Sequence, residues 1–369
     1  MSLSLPQKRV LAIRLKKIII VFFLGLSSFT YAQPTNYYTS ASGLKGTALK
    51  AQLNSIIKNH TEFSYTSSST DVWDILKQTD KDPNNSSNVL LFYSGRSVNA
   101  AQEFNNANGW NREHVWAKSR GDFGTAIGAG TDVHHLRPED VGVNSTRNNR
   151  SFDDCTVCVT VMDEGQDTGS KYDSSVFTFE PRDAVKGDVA RMIFYMAVRY
   201  EGEGGEPDLE LTENIPSNTD KSPLHGKLST LIAWHNADPV DDFERNRNNI
   251  IYNDYQHNRN PFIDYPVLVD YIFGTKTNEI WDESATLSIK ELNQLQFTVY
   301  PNPTESDKIY ITTTSNTIKN IQIYDVVGKQ IYSKITTNNA VDISSFKSGI
   351  YFIKIIQDKK IGTSKLIIR

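Results

Sequence analysis

The hydrophobic pattern of this 369-residue chain changes its period near residue 297. Before that point apolar side chains recur at helical spacing, most clearly over 183–200, where Val189, Ile193 and Met196 fall on one face. After it, apolar and polar residues alternate over short runs separated by turn residues, a pattern typical of β-strands. Because one segment cannot satisfy both periods, the chain must contain at least two differently folded parts.

Periodicity and turn signals predict an α+β fold with two domains. The first domain, over 33–275, is expected to be mostly helical with a few strands; the second, over 297–369, is expected to be a small all-β domain of about seven short strands. The polar stretch 276–296 is typical of a linker. Predicted elements of the first domain are helices over 44–58, 72–78, 183–200, 224–236 and 239–255, a helix starting at Pro138, and strands over 88–94 and 159–162.

The N-terminus has the three parts of an export signal. Basic residues lie between Lys8 and Lys17, an apolar run covers 18–29, and small residues stand at positions 30 and 32. The apolar run is too short to span a bilayer, and no other stretch could cross one. We expect cleavage after Ala32 and export through the periplasm to the medium or the cell surface.

The charge of the first domain argues against a broad nucleic-acid-binding surface. Residues 33–275 carry 22 Lys and Arg against 34 Asp and Glu, whereas such surfaces are normally basic. The segment 110–150 differs, with six basic residues against five acids. Any phosphate contact is therefore expected at a local site on an acidic body.

The chain has two cysteines, Cys155 and Cys158. In an exported protein they are expected to form a disulfide across a short loop. A redox-active pair, or a zinc site shared with His134 and His135, are the less favoured alternatives.

Two polar blocks, 111–116 and 132–147, carry the chemistry of a metal-assisted phosphodiesterase. That reaction needs an activated water and neutralisation of phosphate charge. Glu113 and Asn144 offer oxygen ligands for Mg²⁺, which needs only one or two from the protein. His114 is the candidate base. Adjacent strand residues point to opposite faces, so we predict a strand end, bulge or turn at 113–114.

These blocks resemble the bacterial endonuclease I family. The resemblance is carried by NREHVWAKS (111–119), TDVHHLRPEDVGVNSTRNN (131–149), VKGDVARMIFYMAVRYEG (185–202) and the segment 231–266. It implies a ββα-metal, or His-Me finger, core in an exported, Mg²⁺-dependent and sequence-nonspecific endonuclease. The implied substrate is DNA, with RNA as a second one, and the implied products carry 5′-phosphates. It places His114 as base and Glu113 and Asn144 as metal ligands; Mn²⁺ or Ca²⁺ are alternatives to Mg²⁺.

The family's phosphate-binding arginine lies between the two motif blocks. Here that stretch, 117–131, contains one arginine, Arg120. Arg147, which lies outside it and one helical turn from Asn144, is an equal candidate. Further candidates for substrate contact are Arg112, His134, His135, Arg137 and Asn149, although a structural role is favoured for the two histidines. His60 and His225 are expected at the surface, and a monomer is favoured.

The C-terminal domain shows no chemistry, since it has neither His nor Cys. Its segments VYPNP (299–303), SGIYFIK (348–354) and KLIIR (365–369) resemble the type A sorting domain of the type IX secretion system. The resemblance implies a β-sandwich whose partner is the secretion machinery. The competing hypothesis for the whole chain, favoured by its acidic charge, is a secreted nucleic-acid- or glycan-binding module without catalysis.

Overall fold

A computed structural model describes residues 33–105, 109–284, 295, 297–313, 315, 317–326, 328–358 and 360–369. The expected signal peptide, residues 1–32, and most of the second half of the expected linker lie outside the described residues. In the described ranges, no helix is both long enough and apolar enough to cross a membrane.

Helices and strands intermingle along the first domain. Its α-helices are α1 (Gly46–Ile57), α2 (Val72–Thr79), α3 (Val141–Arg147), α4 (Lys186–Arg199), α5 (Leu228–Ala237), α6 (Asp242–Ile250), α7 (Pro261–Asp264) and α8 (Leu268–Ile272), with a π-helical turn over Ile251–Tyr255 after α6. Its strands are β1 (Lys81–Asp82), β2 (Asn85–Leu90), β3 (Ser97–Asn99), β4 (Trp110–His114), β5 (Leu136–Asp140), β6 (Ser151–Phe152), β7 (Val159–Asp163), β8 (Gln166–Asp173), β9 (Thr178–Glu180), β10 (Glu210–Leu211) and β11 (Leu224–His225).

The strands of the first domain form four small sheets in the described part of the chain. Their orders are β1-β2-β3, β4-β5, β6-β9-β8-β7 and β10-β11. The expectation of a mostly helical first domain is not confirmed; helix accounts for 27% and strand for 29% when both domains are taken together, and the first domain has eleven strands among its described residues. Most of these strands have two to six residues, and the longest, β8, is polar (QDTGSKYD), so the hydrophobic pattern did not indicate them.

Helix α4 is the centre of the first domain. Every residue from Gly187 to Arg199 is buried, not only the predicted apolar stripe. Its polar residues are satisfied by ion pairs; the Arg191 guanidinium, for example, donates to both carboxylate oxygens of Glu244 at 2.6 and 2.7 Å. Helices α1, α5 and α7 pack around it, which explains why a helix with charged residues lies in the core.

Strands β4 and β5 and helix α3 form a continuous ββα unit. The strands pair antiparallel, with Glu113 opposite Arg137 and His114 opposite Leu136. Helix α3 starts at Val141 rather than at Pro138, which lies within β5, so the predicted start is wrong. The Asp140 carboxylate provides the N-cap by accepting from the next turn at 2.7 and 3.1 Å, a role proline cannot fill.

Most other predicted elements are present with shifted ends. The predicted helix at 239–255 begins at Asp242, after a capping box formed by Asp241 and Glu244. The strand predicted over 88–94 is β2, which ends at Leu90. Cys155 and Cys158 are joined in a disulfide, the favoured of the three expectations.

The C-terminal domain is all-β and has seven strands in its described residues, as predicted. They are β12 (Phe297–Tyr300), β13 (Lys308–Thr313), β14 (Lys319–Asp325), β15 (Gln330–Thr336), β16 (Ala340–Asp342), β17 (Gly349–Gln357) and β18 (Lys360–Ile368). They form two antiparallel sheets, β12-β13-β16 and β15-β14-β17-β18. Alternate Ile, Leu and Val side chains of both sheets meet in one core, as the period-two pattern requires.

Helix α2 offers a test of local stability. The buried Asp71 carboxylate accepts from Trp73 N at 2.8 Å, from Asp74 N at 3.3 Å and from Ser67 N at 2.9 Å. Asp71→Ala should lower the free energy of unfolding by about 1 kcal/mol, up to about 2 kcal/mol, because donors at the helix start lose their acceptor. Asp71→Asn, which keeps an acceptor, is the control in urea denaturation; equal losses in both variants would contradict the capping role.

Candidate active site

The ββα unit borders a pocket of about 440 Å³. The pocket is lined by residues of β4, the segment after it, α3 and one loop residue: Tyr65, Asn111, Arg112, Glu113, His114, Ala117, Lys118, Ser119, Asn144, Ser145, Arg147, Asn148 and Asn149. The structure therefore brings the predicted base, both predicted metal ligands and three other candidates to one place. A larger pocket, of about 640 Å³ and lined partly by Lys77, Asp82 and Phe243, contains none of them.

His114 is the last residue of β4, which satisfies the prediction of a strand end at 113–114. Its Nε2 lies 3.0 Å from the carbonyl oxygen of Gly130. A carbonyl only accepts, so Nε2 carries the hydrogen and donates it, and Nδ1 keeps its lone pair. No described residue pairs with Nδ1. Burial lowers the pKa of His114 well below its usual value, and the neighbouring His135 adds to this effect. The ring is therefore neutral, as a base must be.

The carbonyl that holds His114 belongs to a tightly packed turn. A Cβ atom on Gly130 would lie 2.6 Å from the Ala126 carbonyl oxygen and 2.8 Å from that of Gly124. The preceding carbonyl, of Ala129, accepts from His135 Nε2 at 2.8 Å. Two successive carbonyls thus orient two neighbouring imidazoles. No sequence pattern indicates this arrangement, because backbone acceptors leave no side-chain signature.

Glu113 has one supported and one open carboxylate oxygen. Its Oε1 accepts from the Tyr93 hydroxyl at 2.8 Å and lies 3.3 Å from an Arg147 nitrogen. No described side chain pairs with its Oε2, and Oε2 is not among the fully buried atoms that lack a hydrogen-bond partner. Burial raises the pKa of Glu113, while Arg147 and Tyr93 oppose that shift. A cation beside Oε2 would favour the ionised form.

Asn144 lies on α3 and lines the same pocket. It is half-buried, and no described side chain or backbone group pairs with its amide. An open carboxylate oxygen and an open amide oxygen are a donor set that suits Mg²⁺, which takes oxygen ligands and keeps several waters. The residues present therefore fit such an ion.

Arg147 joins the two sides of the pocket. Its guanidinium donates to the carbonyl oxygens of His114 at 3.0 Å, Val115 at 2.5 Å and Asn148 at 3.0 Å, and lies 3.1 Å from His225 Nε2. With 1% of its surface exposed, it holds the end of β4 against α3. These donors are committed to the protein, which favours a positioning role over a phosphate contact.

Arg120, the other predicted phosphate arginine, does not line the pocket. It is fully buried, and its terminal nitrogens donate at 2.8 to 3.2 Å to the carbonyls of Pro216, Ser217, Asp220 and Asn149. The side chain ties a distant loop to the end of α3. The sequence could not show this, since three of the four acceptors lie about a hundred residues away.

Three further candidates are also directed away from the pocket. His134 Nε2 lies 3.1 Å from Asn258 Oδ1, and His135 accepts from Trp116 N at 3.3 Å. Burial lowers the pKa of both histidines to about 4, so both are neutral structural groups. Arg137 pairs with the buried Asp80 at 2.5 Å. These contacts agree with the structural role favoured for the two histidines, and substrate contact by Arg137 stays a prediction that its ion pair with Asp80 disfavours.

The remaining candidates do reach the pocket. The Arg112 guanidinium lies between the rings of Tyr65, 3.4 Å from its centroid, and Trp73, at 4.0 Å. The Asn149 amide nitrogen donates to Ser119 Oγ at 3.1 Å.

Several site residues were not predicted, among them Tyr65, Tyr93, Lys118 and Ser119. Lys118 and Ser119 stand within the motif NREHVWAKS and could have been found there. The expectation that His60 and His225 lie at the surface is wrong. The His60 side chain is 2% exposed and His225 is fully buried, where it supports Arg147.

Comparison with known proteins identifies the family of each domain. Residues 45–267 match the family Endonuclease I, and residues 298–369 match the secretion system C-terminal sorting domain. The chain belongs to the endonuclease I family. It is a nuclease, and the competing hypothesis of a binding module without catalysis is not supported.

Two relatives extend the comparison. The chain is 52% identical over 250 residues to the extracellular ribonuclease of Bacillus subtilis (strain 168), covering 68% of this chain and 82% of the relative. It is 52% identical over 242 residues to the extracellular ribonuclease of Bacillus amyloliquefaciens, covering 66% and 79%. With the C-terminal sorting domain, these matches identify a secreted or surface nuclease.

Among solved structures, the type IX secretion component PorZ of Porphyromonas gingivalis shares 20% identity with this chain. The TM-score is 0.18, and the match covers 22% of this chain and 12% of the other. A likeness this low carries no structural argument.

The position of Arg147 predicts a large loss of stability in Arg147→Met. The substitution leaves Glu113 without its charged partner and removes the donor from two buried carbonyls, so the free energy of unfolding should fall by about 3 to 5 kcal/mol. Arg150→Met, at the same end of α3 but half-buried, is the matched control in urea denaturation. Similar stabilities of the two variants would contradict the bridging role.

Proposed function

We propose that this endonuclease I family member is a Mg²⁺-dependent, sequence-nonspecific endonuclease acting on DNA and RNA, with the ββα unit as a His-Me finger core. The observation that carries the proposal is the convergence of a neutral imidazole with an open nitrogen, an open carboxylate oxygen and an open amide on one pocket. These are the groups needed to activate water beside a metal-bound phosphodiester.

His114 is the proposed general base. Its Nδ1 takes a proton from water as the water attacks phosphorus in line, while the Gly130 carbonyl holds the opposite side of the ring. That hydrogen bond fixes the tautomer and stabilises the imidazolium that results. Cleavage of the bond to the 3′ oxygen leaves a 5′-phosphate on the other product.

Glu113 and Asn144 are the proposed ligands of the metal. Mg²⁺ bound there supplies neutralisation of phosphate charge and stabilisation of the departing 3′ oxygen. Tyr93 and Arg147 orient Glu113 through its Oε1, which leaves Oε2 free for the ion. Such supporting groups are normally as necessary as the ligands that they hold.

Two observations support the proposal that both RNA and DNA are substrates. The relatives are extracellular ribonucleases, which favours RNA as a substrate of this chain as well. None of the groups proposed for the reaction requires or excludes a 2′-hydroxyl, and this favours action on DNA too. The C-terminal sorting domain is proposed to engage the secretion machinery, and it supplies none of the pocket residues.

Replacement of His114 tests the base. His114→Gln should lower the rate of plasmid nicking and of RNA cleavage by about 10² to 10⁴-fold, the usual contribution of general base catalysis. The exposed His257, outside the pocket, provides the control His257→Asn. If purified, folded His114→Gln nicked DNA at the wild-type rate, the assignment would fail.

Removal of the metal ligand tests the cation site separately. Glu113→Gln should weaken Mn²⁺ binding, measured by calorimetry, by at least about tenfold. Tyr93→Phe removes only a supporting hydrogen bond and should weaken binding by no more than about 10 to 100-fold. Chelator should abolish cleavage by the wild type, and Mg²⁺ should restore it. The exposed Glu279 gives the control Glu279→Gln. Unchanged Mn²⁺ affinity in Glu113→Gln, or cleavage that resists chelator, would refute this site.

A further inference from the structure

Three cationic side chains line the pocket among the residues that the structure describes: Arg112, Lys118 and Arg147. A nuclease needs at least one positive group to meet the phosphate, above all on a domain with 34 acidic against 22 basic residues. The partners of each side chain decide which of the three is free to do so.

The two arginines are already occupied. Arg147 is 1% exposed, and its terminal nitrogens are used by backbone carbonyls, His225 and Glu113. Arg112 is 8% exposed and lies between two aromatic rings, where it donates to the Tyr65 carbonyl and to Thr66 Oγ1. Turning either guanidinium toward a phosphate would break buried contacts, which is costly.

Lys118 has the opposite properties. Its side chain is exposed, and among the described residues it makes no hydrogen bond or ion pair. It nevertheless lies close to both groups: its positive charge opposes the rise that burial causes in the pKa of Glu113, and it adds to the fall that burial causes in the pKa of His114. An unpaired ammonium beside a buried base and a buried carboxylate is available for an incoming anion.

The backbone around Lys118 is fixed although the side chain is free. On one side, Trp116 is buried, and its indole nitrogen donates to the Arg120 carbonyl at 2.9 Å. On the other, Arg120 N donates to the Ala117 carbonyl at 2.7 Å, and Ser119 Oγ accepts from Asn149. A flexible four-carbon stem is thereby anchored at the edge of the pocket.

We propose that the Lys118 ammonium contacts the non-bridging oxygens of the phosphate that is cleaved, in the role for which the sequence had suggested Arg120 or Arg147. The proposal rests on the nuclease function proposed above and names the group that receives its substrate. Lys118 is then a catalytic residue, while Arg147 is a positioning residue that acts through Glu113 and His114.

Steady-state cleavage of a short fluorescent oligonucleotide with Mg²⁺ forms the first part of the test. Lys118→Met keeps the apolar stem and removes the charge; it should lower kcat/KM by about ten- to a hundredfold, the range for a charged hydrogen bond, with part of the loss in kcat. Lys118→Arg should keep most of the activity. The exposed Lys45, outside the pocket, gives the control Lys45→Met. A change in KM alone would place the contact on a flanking phosphate and overturn the proposal.

Binding of the same oligonucleotide in chelator forms the second part and needs no catalysis. Lys118→Met should reduce the slope of log affinity against log salt by about 0.7 to 0.9, as expected for one lost phosphate contact, while Lys118→Arg should not. If the wild type cleaves and Lys118→Met matches Lys45→Met in both parts, the Lys118 assignment fails and the nuclease function stands. If the wild type does not cleave, the proposed nuclease function fails. The change in the slope of log affinity against log salt then decides alone whether Lys118 contacts a phosphate.

Discussion

One buried guanidinium holds the end of β4 that borders the pocket. Arg147 spans the gap between this strand and α3, and it is in turn supported by His225 from β11. Because the guanidinium is planar and presents several donors in fixed directions, it sets the positions of His114 and Glu113 relative to the helix at the same time. The base, the carboxylate and Asn144 therefore belong to one rigid unit.

The second fixed element is the backbone behind the pocket. The carbonyls of Gly130 and Ala129 point toward His114 and His135. Tyr93, in the segment between β2 and β3, donates its hydroxyl to Glu113. One side of the His114 ring and one oxygen of Glu113 are thus held by hydrogen bonds, and no described side chain pairs with the other nitrogen or the other oxygen. Each of the two side chains is therefore held in place by one atom and keeps a second atom for a ligand in the pocket.

How far the fold follows from the sequence depends on how local the deciding interaction is. Helix α4 was predicted because its apolar period is long, and the strands of the C-terminal domain because they alternate in step with turn residues. The start of α3 was not predicted correctly. Pro138 suits a first helical turn, but pairing with Arg112 on β4 keeps it in a strand, and Asp140 then provides the better cap.

The candidate site divides in the same way. Glu113, His114 and Asn144 were predicted because their chemistry and spacing are visible in one short stretch. The sequence did not distinguish the two arginines, because their roles depend on contacts with residues far along the chain: Arg120 donates to carbonyls of 216–220, and Arg147 contacts Glu113 and His225. Lys118 stands within the first motif block, but no sequence pattern shows that its side chain makes no hydrogen bond or ion pair with the described residues.

The parts that complete the pocket come from widely separated stretches of chain. Tyr93 precedes β4, the Gly130 carbonyl lies between the strands of the ββα unit, and His225 follows far downstream. An extended polypeptide has none of these supports, so it holds neither an oriented imidazole nor a prepared carboxylate. The geometry proposed for cleavage is therefore a property of the folded domain alone and not of any short segment of the chain.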